Sequence, residues 1–199
     1  MRITIVTDGG CSVNKRILKC PGAYAFIVFA GDPNDESLIC EYSQIIHDTT
    51  NNRMELLAAI MGLSRSADEM LKKEVKPSEL EINVISDSRY LVDGYHEYLP
   101  DWKLSGWRKA DRSPVKNLDL WKMLNDLAPE FKSLTFTWVK GHANDRWNER
   151  ADQMVGALLY PSRNQGNASA GSRNSDAAKA VEITSVEPDD PVLQDIQAE

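Results

Sequence analysis

Long apolar runs and paired cysteines are both missing from this chain of 199 residues. No apolar run reaches the length of roughly 18 residues that a membrane-spanning helix needs, which argues against a membrane protein. The N-terminal segment MRITIVTDGG reaches Asp8 after a short apolar run and has no small-residue cleavage site, so a secretory signal is not expected. The three cysteines, Cys11, Cys20 and Cys40, contain no Cys-x-x-Cys pair. A disulfide framework and a zinc site are therefore both disfavoured, and a reducing cytoplasm is the expected location.

Aromatic residues are absent from residues 161–199. This segment is rich in Ser, Asn, Ala, Asp and Glu, and its acidic residues outnumber its basic ones by 7 to 3. Such a composition buries too little apolar surface to offset the entropy lost on ordering. We therefore expect one folded domain over residues 1–160 and a disordered acidic tail over residues 161–199.

Charge is unevenly distributed along the chain, whose formal net charge is -7. Residues 102–122, called the basic handle below, contain six basic and two acidic residues and three of the five tryptophans. Basic residues interleaved with large aromatics are typical of a nucleic-acid contact. The alternative is a solvated helix face that carries buried tryptophans. Because the handle is locally basic, the negative net charge of the chain does not exclude a nucleic-acid partner.

Alternating strand and helix patterns indicate the fold class. Short apolar and aromatic runs predict strands over residues 2–8, 23–30, 38–46, 80–86 and 133–139. Helical periodicity is found over residues 52–75, 88–98, 115–127 and 145–159. Three strands with short connections should form an antiparallel meander, whereas later strands that alternate with helices should run parallel. We therefore expect an α/β fold with a mixed five-stranded sheet flanked by helices.

Four carboxylates lie where these elements can bring them together. Asp8 ends the first predicted strand and Asp87 ends the fourth, so both reach the same sheet edge if those strands are parallel neighbours. Glu55, in the first turn of the long helix, and Asp152, in the last helix, can point into the same cleft. Converging carboxylates repel unless cations lie between them, and oxygen ligands suit Mg²⁺, with Mn²⁺ as a substitute. Two such ions, roughly 3.5–4 Å apart, can clamp the attacking and leaving oxygens of a phosphodiester.

Each carboxylate also has a purely structural interpretation. Asp8 and the following glycine could form a turn. Glu55 could complete a capping box with Asn52 as the N-cap. The Asp87–Ser88 pair could cap the following helix, and Asp152 could be an exposed helical acid. Taken one at a time, the residues do not decide between these interpretations and a metal site.

The local sequences around these acids resemble ribonuclease HI, the type 1 ribonuclease H family. The matching segments are collinear and cover nearly all of residues 1–160. They read TDGG at 7–10, TTNNRMELLAAI at 49–60, SDSRYLVDGY at 86–95, DWKLSGWRKADRSPVKNLDLW at 101–121 and WVKGHANDRWNERAD at 138–152. The resemblance implies a ribonuclease H-like fold. It also implies an endoribonuclease that cuts the RNA strand of RNA–DNA hybrids and leaves 5′-phosphate and 3′-hydroxyl ends.

The resemblance also implies roles for individual residues. Asp8, Glu55, Asp87 and Asp152 match the metal-binding carboxylates, and His142 matches a loop histidine that moves a proton or aids product release. Thr50 and Asn51 match a pocket for a DNA-strand phosphate, and Asn14 and Asn52 match residues that lie across the minor groove. Glu55 also matches a carboxylate that touches a ribose 2′-hydroxyl. The other implied substrate contacts are Cys11, Ser88, Arg89, Trp102, Lys103, Trp107, Lys116, Trp121 and Asn148. Contacts to backbone phosphates carry no sequence information, so cleavage should be largely independent of sequence.

Several positions depart from the family pattern. The loop after Asn14, from Lys15 to Cys20, is longer and more basic than usual. Arg89 stands where the family commonly has glutamine, and Tyr98 stands where tryptophan is common. Leu104 and Ser105 of the handle stand where cations are common. These changes predict altered or weaker hybrid contacts.

Three rival functions remain open at this stage: a module of the same fold that binds nucleic acid without cutting it, another metal nuclease of the superfamily, and a structural α/β domain. Primer removal in DNA replication, R-loop clearance and work within a mobile element or phage all fit the sequence. A monomer is expected.

Overall fold

A mixed sheet organises the part of the chain that the structure, a computed structural model, describes: residues 1–12, 20–35, 37–141 and 145–161. Its strands are β1 (Arg2–Cys11), β2 (Cys20–Ala30), β3 (Leu38–Thr49), β4 (Glu81–Ser86) and β5 (Ser133–Trp138), in the order β3-β2-β1-β4-β5. The pairs β1–β2 and β2–β3 are antiparallel, and β1–β4 and β4–β5 are parallel. The predicted topology is confirmed.

Helices flank this sheet. They are α1 (Asn51–Leu71), α2 (Arg89–Asp93), α3 (Leu99–Leu104), α4 (Leu118–Leu127) and α5 (Arg146–Leu159), with a π-helical turn at Gly94–Tyr98 between α2 and α3. Short 3-10 turns lie at Pro33–Asp35, Pro77–Glu79 and Ala128–Glu130. Across the described ranges, no helix combines the length and apolarity needed to span a membrane.

The central strand β1 is buried on both faces. Ile3 and Ile5 belong to the large cluster that contains the apolar residues of α1. Val6 packs on the opposite face with Phe29 and with Ala151 of α5. Because side chains alternate along a strand, neighbouring residues of β1 meet different helices. β1 is therefore held from both sides.

Element ends differ from the sequence prediction for identifiable reasons. β1 does not end at Asp8 but runs to Cys11, because its pairing with β2 continues through Cys11–Gly22. α4 begins at Leu118 rather than 115 because the preceding Asn117 adopts a left-handed backbone with φ of 55°. The helix predicted over residues 88–98 continues through the π-helical turn to residue 104. Gly94 lies in that turn, where the Trp121 ring would be 2.5 Å from an added Cβ.

Candidate metal centre and nucleic-acid interface

Three carboxylates meet at the point where β1 and β4 part. Parallel pairing of these strands ends at Val6–Ile85, so Asp8 lies just beyond the paired region and Asp87 directly follows β4. Ligand oxygens of Asp8, Glu55 and Asp87 all lie within 4.8 Å of one another. Because Asp8 lies inside β1, the turn interpretation of this residue is wrong.

A glycine brings Glu55 to this point. Glu55 lies one turn into α1, because the helix begins at Asn51, and Thr50 is the N-cap. A Cβ on Gly9 would overlap the Met54 carbonyl carbon and the Glu55 amide nitrogen. Only glycine therefore allows the backbone of α1 to approach β1 this closely. The capping-box interpretation of Glu55 with Asn52 as N-cap is wrong, because Asn52 lies inside the helix.

Burial and mutual repulsion perturb these acids. Loss of solvation, followed by the charges of Asp87 and Asp152, raises the pKa of Asp8 from 3.8 to about 7. Burial, and then the charges of Asp8 and Asp87, hold the pKa of Glu55 well above its usual range. The Glu55 Oε2 atom is buried without a hydrogen-bond partner among the described residues. A divalent cation would neutralise the charges and supply a partner for Oε2, so the donor set fits a hard metal ion.

Asp152 lies near this cluster but outside its tight core. Its side chain is on α5 and is exposed, and its charge contributes to the raised pKa of Asp8. It is not among the three residues whose ligand atoms lie within 4.8 Å. The structure thus brings three of the four predicted ligands into direct proximity and leaves the fourth beside them.

Asp87 is held from several sides. Its backbone oxygen accepts a hydrogen bond from Trp138 Nε1 at 3.0 Å, and its Oδ2 accepts one from Asn148 Nδ2 at 3.4 Å. A Cβ on Gly141 would lie 2.5 Å from Oδ2. The sequence analysis missed Trp138 and Gly141. The sequence signal that could have identified them is their position. Trp138 ends β5, and Gly141 lies in the Lys-Gly-His segment that follows.

The start of α1 presents a polar rim. Thr50, Asn51 and Asn52 are exposed, and Asn51 Oδ1 accepts a hydrogen bond from the Cys11 backbone N–H at 2.7 Å. This bond joins the end of β1 to the rim. Asn14 and His142, predicted to contact the hybrid and to move a proton, lie outside the described residues.

Ser88 and Arg89 occupy the other side of the cluster. Ser88 is the N-cap of α2, and its side chain accepts a hydrogen bond from the Leu91 N–H at 3.3 Å, so the capping interpretation holds for Ser88. The Arg89 guanidinium lies 3.7 Å from the ring centroid of Trp138 and 3.3 Å from Asp93 Oδ1. An exposed cation therefore stands beside the acidic cluster.

Aromatic residues support the basic handle in a connected series. Tyr98 stacks on Trp102 with ring centroids 5.8 Å apart, and Trp102 meets the edge of Trp121 at 5.3 Å. Trp121 Nε1 donates a hydrogen bond to Tyr90 Oη at 3.0 Å. Trp121 is fully buried, whereas Trp102 and Trp107 are half-buried. Trp121 can thus affect a bound strand only through the rings that it supports.

The handle surface is positively charged. Lys103 and Lys116 are exposed, and none of the six ion pairs found among the described residues includes a basic residue of the handle. The handle acid Asp119 is bound by both guanidinium nitrogens of Arg53, at 3.0 and 2.5 Å. Its charge is therefore neutralised, which leaves the handle more positive than its composition suggests.

Comparisons with known proteins agree on one family. The RNase H family model matches residues 1–159. Ribonuclease HI of Caulobacter vibrioides is 43% identical over 154 residues, which cover 77% of this chain and 90% of that protein. Ribonuclease H of Rhizobium johnstonii is 41% identical and covers 80% and 92%.

Solved structures share the fold. LC9-RNase H1 superposes with a TM-score of 0.64 at 26% identity, covering 79% of this chain and 72% of that one. LC11-RNase H1, solved in complex with an RNA/DNA hybrid, gives 0.55 at 21% identity and covers 79% and 99%. By sequence and by architecture, the chain belongs to the ribonuclease H family.

Proposed function

We propose that this chain is an endonuclease that hydrolyses the RNA strand of RNA–DNA hybrids with two divalent metal ions, leaving 5′-phosphate and 3′-hydroxyl ends. The activity follows from the family, and the observation that supports the metal-dependent mechanism is the buried group of Asp8, Glu55 and Asp87. Such a group is unfavourable without cations. Mg²⁺ is the proposed cofactor because it prefers carboxylate oxygens, and Mn²⁺ is the proposed substitute.

Asp8, Glu55, Asp87 and Asp152 would hold these ions. When bound, the ions supply a more acidic attacking water and stabilise the leaving 3′-oxygen. Asp8 is the central ligand in this proposal, because the charges of both Asp87 and Asp152 act on it. Glu55 offers its unpartnered Oε2 from α1. His142 is proposed to move a proton or to aid product release.

The remaining residues bind and orient the hybrid. The exposed rim at Thr50, Asn51 and Asn52 would contact the sugar–phosphate backbone and the minor groove. The basic handle would contact the phosphates of the DNA strand, with Trp102 and Trp107 lining the path. We further propose that the chain acts as a monomer in the cytoplasm, with primer removal during DNA replication as one cellular role.

A substrate panel tests this proposal. An end-labelled RNA–DNA hybrid, double-stranded RNA and double-stranded DNA are each incubated with Mg²⁺, with Mn²⁺ and with EDTA. We expect cutting of the hybrid's RNA strand alone, and only with metal. Hybrid binding without cutting in either metal would instead identify a binding module, and cutting of double-stranded DNA would indicate another nuclease of the superfamily.

The central role of Asp8 has its own test. Asp8→Asn should abolish cleavage while leaving hybrid affinity largely unchanged, because the amide keeps the size of the side chain but loses the charge that holds the metal. Turnover and hybrid affinity are measured side by side, with Asp68→Asn, on the exposed side of α1, as the matched control. Near-wild-type turnover by Asp8→Asn would rule out the proposed role.

A further inference from the structure

Asn148 lies in the first turn of α5, and its side chain faces the carboxylate cluster. Only 2% of the residue is exposed. Its Nδ2 donates a hydrogen bond to Asp87 Oδ2, while its Oδ1 is buried without a partner in the part of the chain that the structure describes. Residues that contact substrate are usually accessible to solvent. This degree of burial therefore favours a role in positioning the carboxylates over a direct contact with the hybrid.

The position of Asn148 is fixed by its helix. The Asp145 side chain accepts hydrogen bonds from the backbone N–H groups of Trp147 and Asn148, at 3.0 Å each. Trp147 Nε1 donates to the Pro33 carbonyl at 3.1 Å, and its ring packs 4.6 Å from that of Phe29. The first turn of α5 is thereby anchored to the sheet. An amide held this firmly can set the orientation of a neighbouring carboxylate.

The unpartnered Oδ1 indicates a ligand. A buried amide oxygen without a donor costs free energy, so native proteins usually provide a donor from protein or from water. Glu55 Oε2 in the same cluster is also unpartnered. A buried water molecule at the carboxylate cluster would offer the donor that Oδ1 needs.

We propose that Asn148 is a positioning residue that acts in two directions. Its Nδ2 fixes the rotamer of Asp87, and its Oδ1 accepts a hydrogen bond from a water molecule at the carboxylate cluster. This inference rests on the proposed function, because it assigns Asp87 to the metal centre. It differs from a direct hybrid contact, which would act through substrate affinity.

The test compares Asn148→Ala with Asn148→Leu, which fills nearly the same volume without polar atoms. Partners of metal ligands typically contribute about 10–100-fold to metal affinity or activity, so we expect both variants to lower kcat and to weaken Mg²⁺ binding by such factors. The KM for the hybrid should stay at the wild-type value. Mg²⁺ affinity is measured by calorimetry without substrate, and thermal unfolding in EDTA verifies that each variant is folded. The matched control is Gln153→Ala, an exposed amide on the same helix.

The possible outcomes separate the two proposals. If the variants keep wild-type kcat and Mg²⁺ affinity, the positioning role is wrong and the proposed function stands. If KM rises while Mg²⁺ affinity is unchanged, Asn148 contacts the hybrid and the positioning role is overturned. If the wild-type protein itself fails to cut the hybrid with metal, the proposed function fails, and the positioning role fails with it.

Discussion

At the scale of single residues, burial and mutual repulsion make the acids of the cluster sensitive to pH and to cations. Their identity and chain positions can be read from the local motifs. The sequence cannot reveal that Asp8, Glu55 and Asp87 approach within 4.8 Å while Asp152 stays outside, because that depends on where the helices dock. Nor could it reveal the unpartnered Oε2 of Glu55. Both are properties of packing.

The raised pKa of Asp8 predicts a pH-dependent stability of the metal-free protein. Folding raises this pKa from 3.8 to about 7, so the folded state binds more protons than the unfolded state between these values. The free energy of unfolding in EDTA should therefore fall as pH rises from about 4 to about 7 and then level off. Asp8→Asn should be the more stable protein at pH values above about 7, by an amount on the order of a few kcal/mol.

Thermal unfolding in EDTA across this pH range measures the effect. Glu55 also has a raised pKa, so the Asp8→Asn profile should be flattened rather than flat. Adding Mg²⁺ at the upper end of the range should restore stability to the wild-type protein, because the ion binds the folded state alone. A wild-type melting temperature that does not change with pH in EDTA would contradict the prediction.

At the scale of elements, hydrophobic periodicity was sufficient to predict the strands, the main helices and the sheet topology. It placed several ends wrongly because ends are set by tertiary contacts and by single backbone conformations. β1 is extended by its pairing with β2, and the start of α4 is set by the left-handed Asn117. The junction of α2 and α3 depends on the packing of Trp121 against Gly94. None of these contacts has a periodic signature.

The contact between β1 and α1 leads to a prediction for Gly9. Gly9→Ala would force the backbone of α1 away from β1, because the new Cβ overlaps Met54 and Glu55. We expect a loss of about 1–3 kcal/mol in stability, as in other overpacked sites, together with weaker Mg²⁺ binding. Chemical denaturation and calorimetry measure the two effects.

Gly156 of α5 provides a matched control. A Cβ there meets nothing within 4 Å, so Gly156→Ala should stabilise the helix by roughly 0.5–1 kcal/mol without affecting Mg²⁺ binding. Wild-type turnover and stability in Gly9→Ala would show that α1 can shift without loss of the site.

At the scale of the whole molecule, charge is segregated. A chain with a formal net charge of -7 presents a handle whose cations are free of ion pairs within the described residues. The sequence predicted this patch, but the neutralisation of Asp119 by Arg53 joins residues far apart in the chain and emerged only from the fold. The structure leaves residues 162–199 undescribed, so the disordered tail stays a prediction.

The handle predicts a salt-dependent affinity. Lys116→Ala and Lys103→Ala should each weaken hybrid binding uniformly across sequences and reduce the slope of log affinity against log salt by about 1. Binding is measured in the Asp8→Asn background so that the hybrid stays intact. Lys72→Ala, which removes another exposed lysine, one that is paired with Glu69, is the control and should leave the slope unchanged. If Lys103→Ala and Lys116→Ala show the same salt slope as Lys72→Ala, the handle does not belong to the interface.

The dispersal of the four acids along the chain has a consequence for biosynthesis. Asp8 is made before Asp152, and α5 must pack on β1 before the two can meet. On the proposed assignment, a nascent or prematurely terminated chain holds an incomplete set of ligands. On the same assignment, the domain would become an active nuclease only after α5 has been made and has packed on β1.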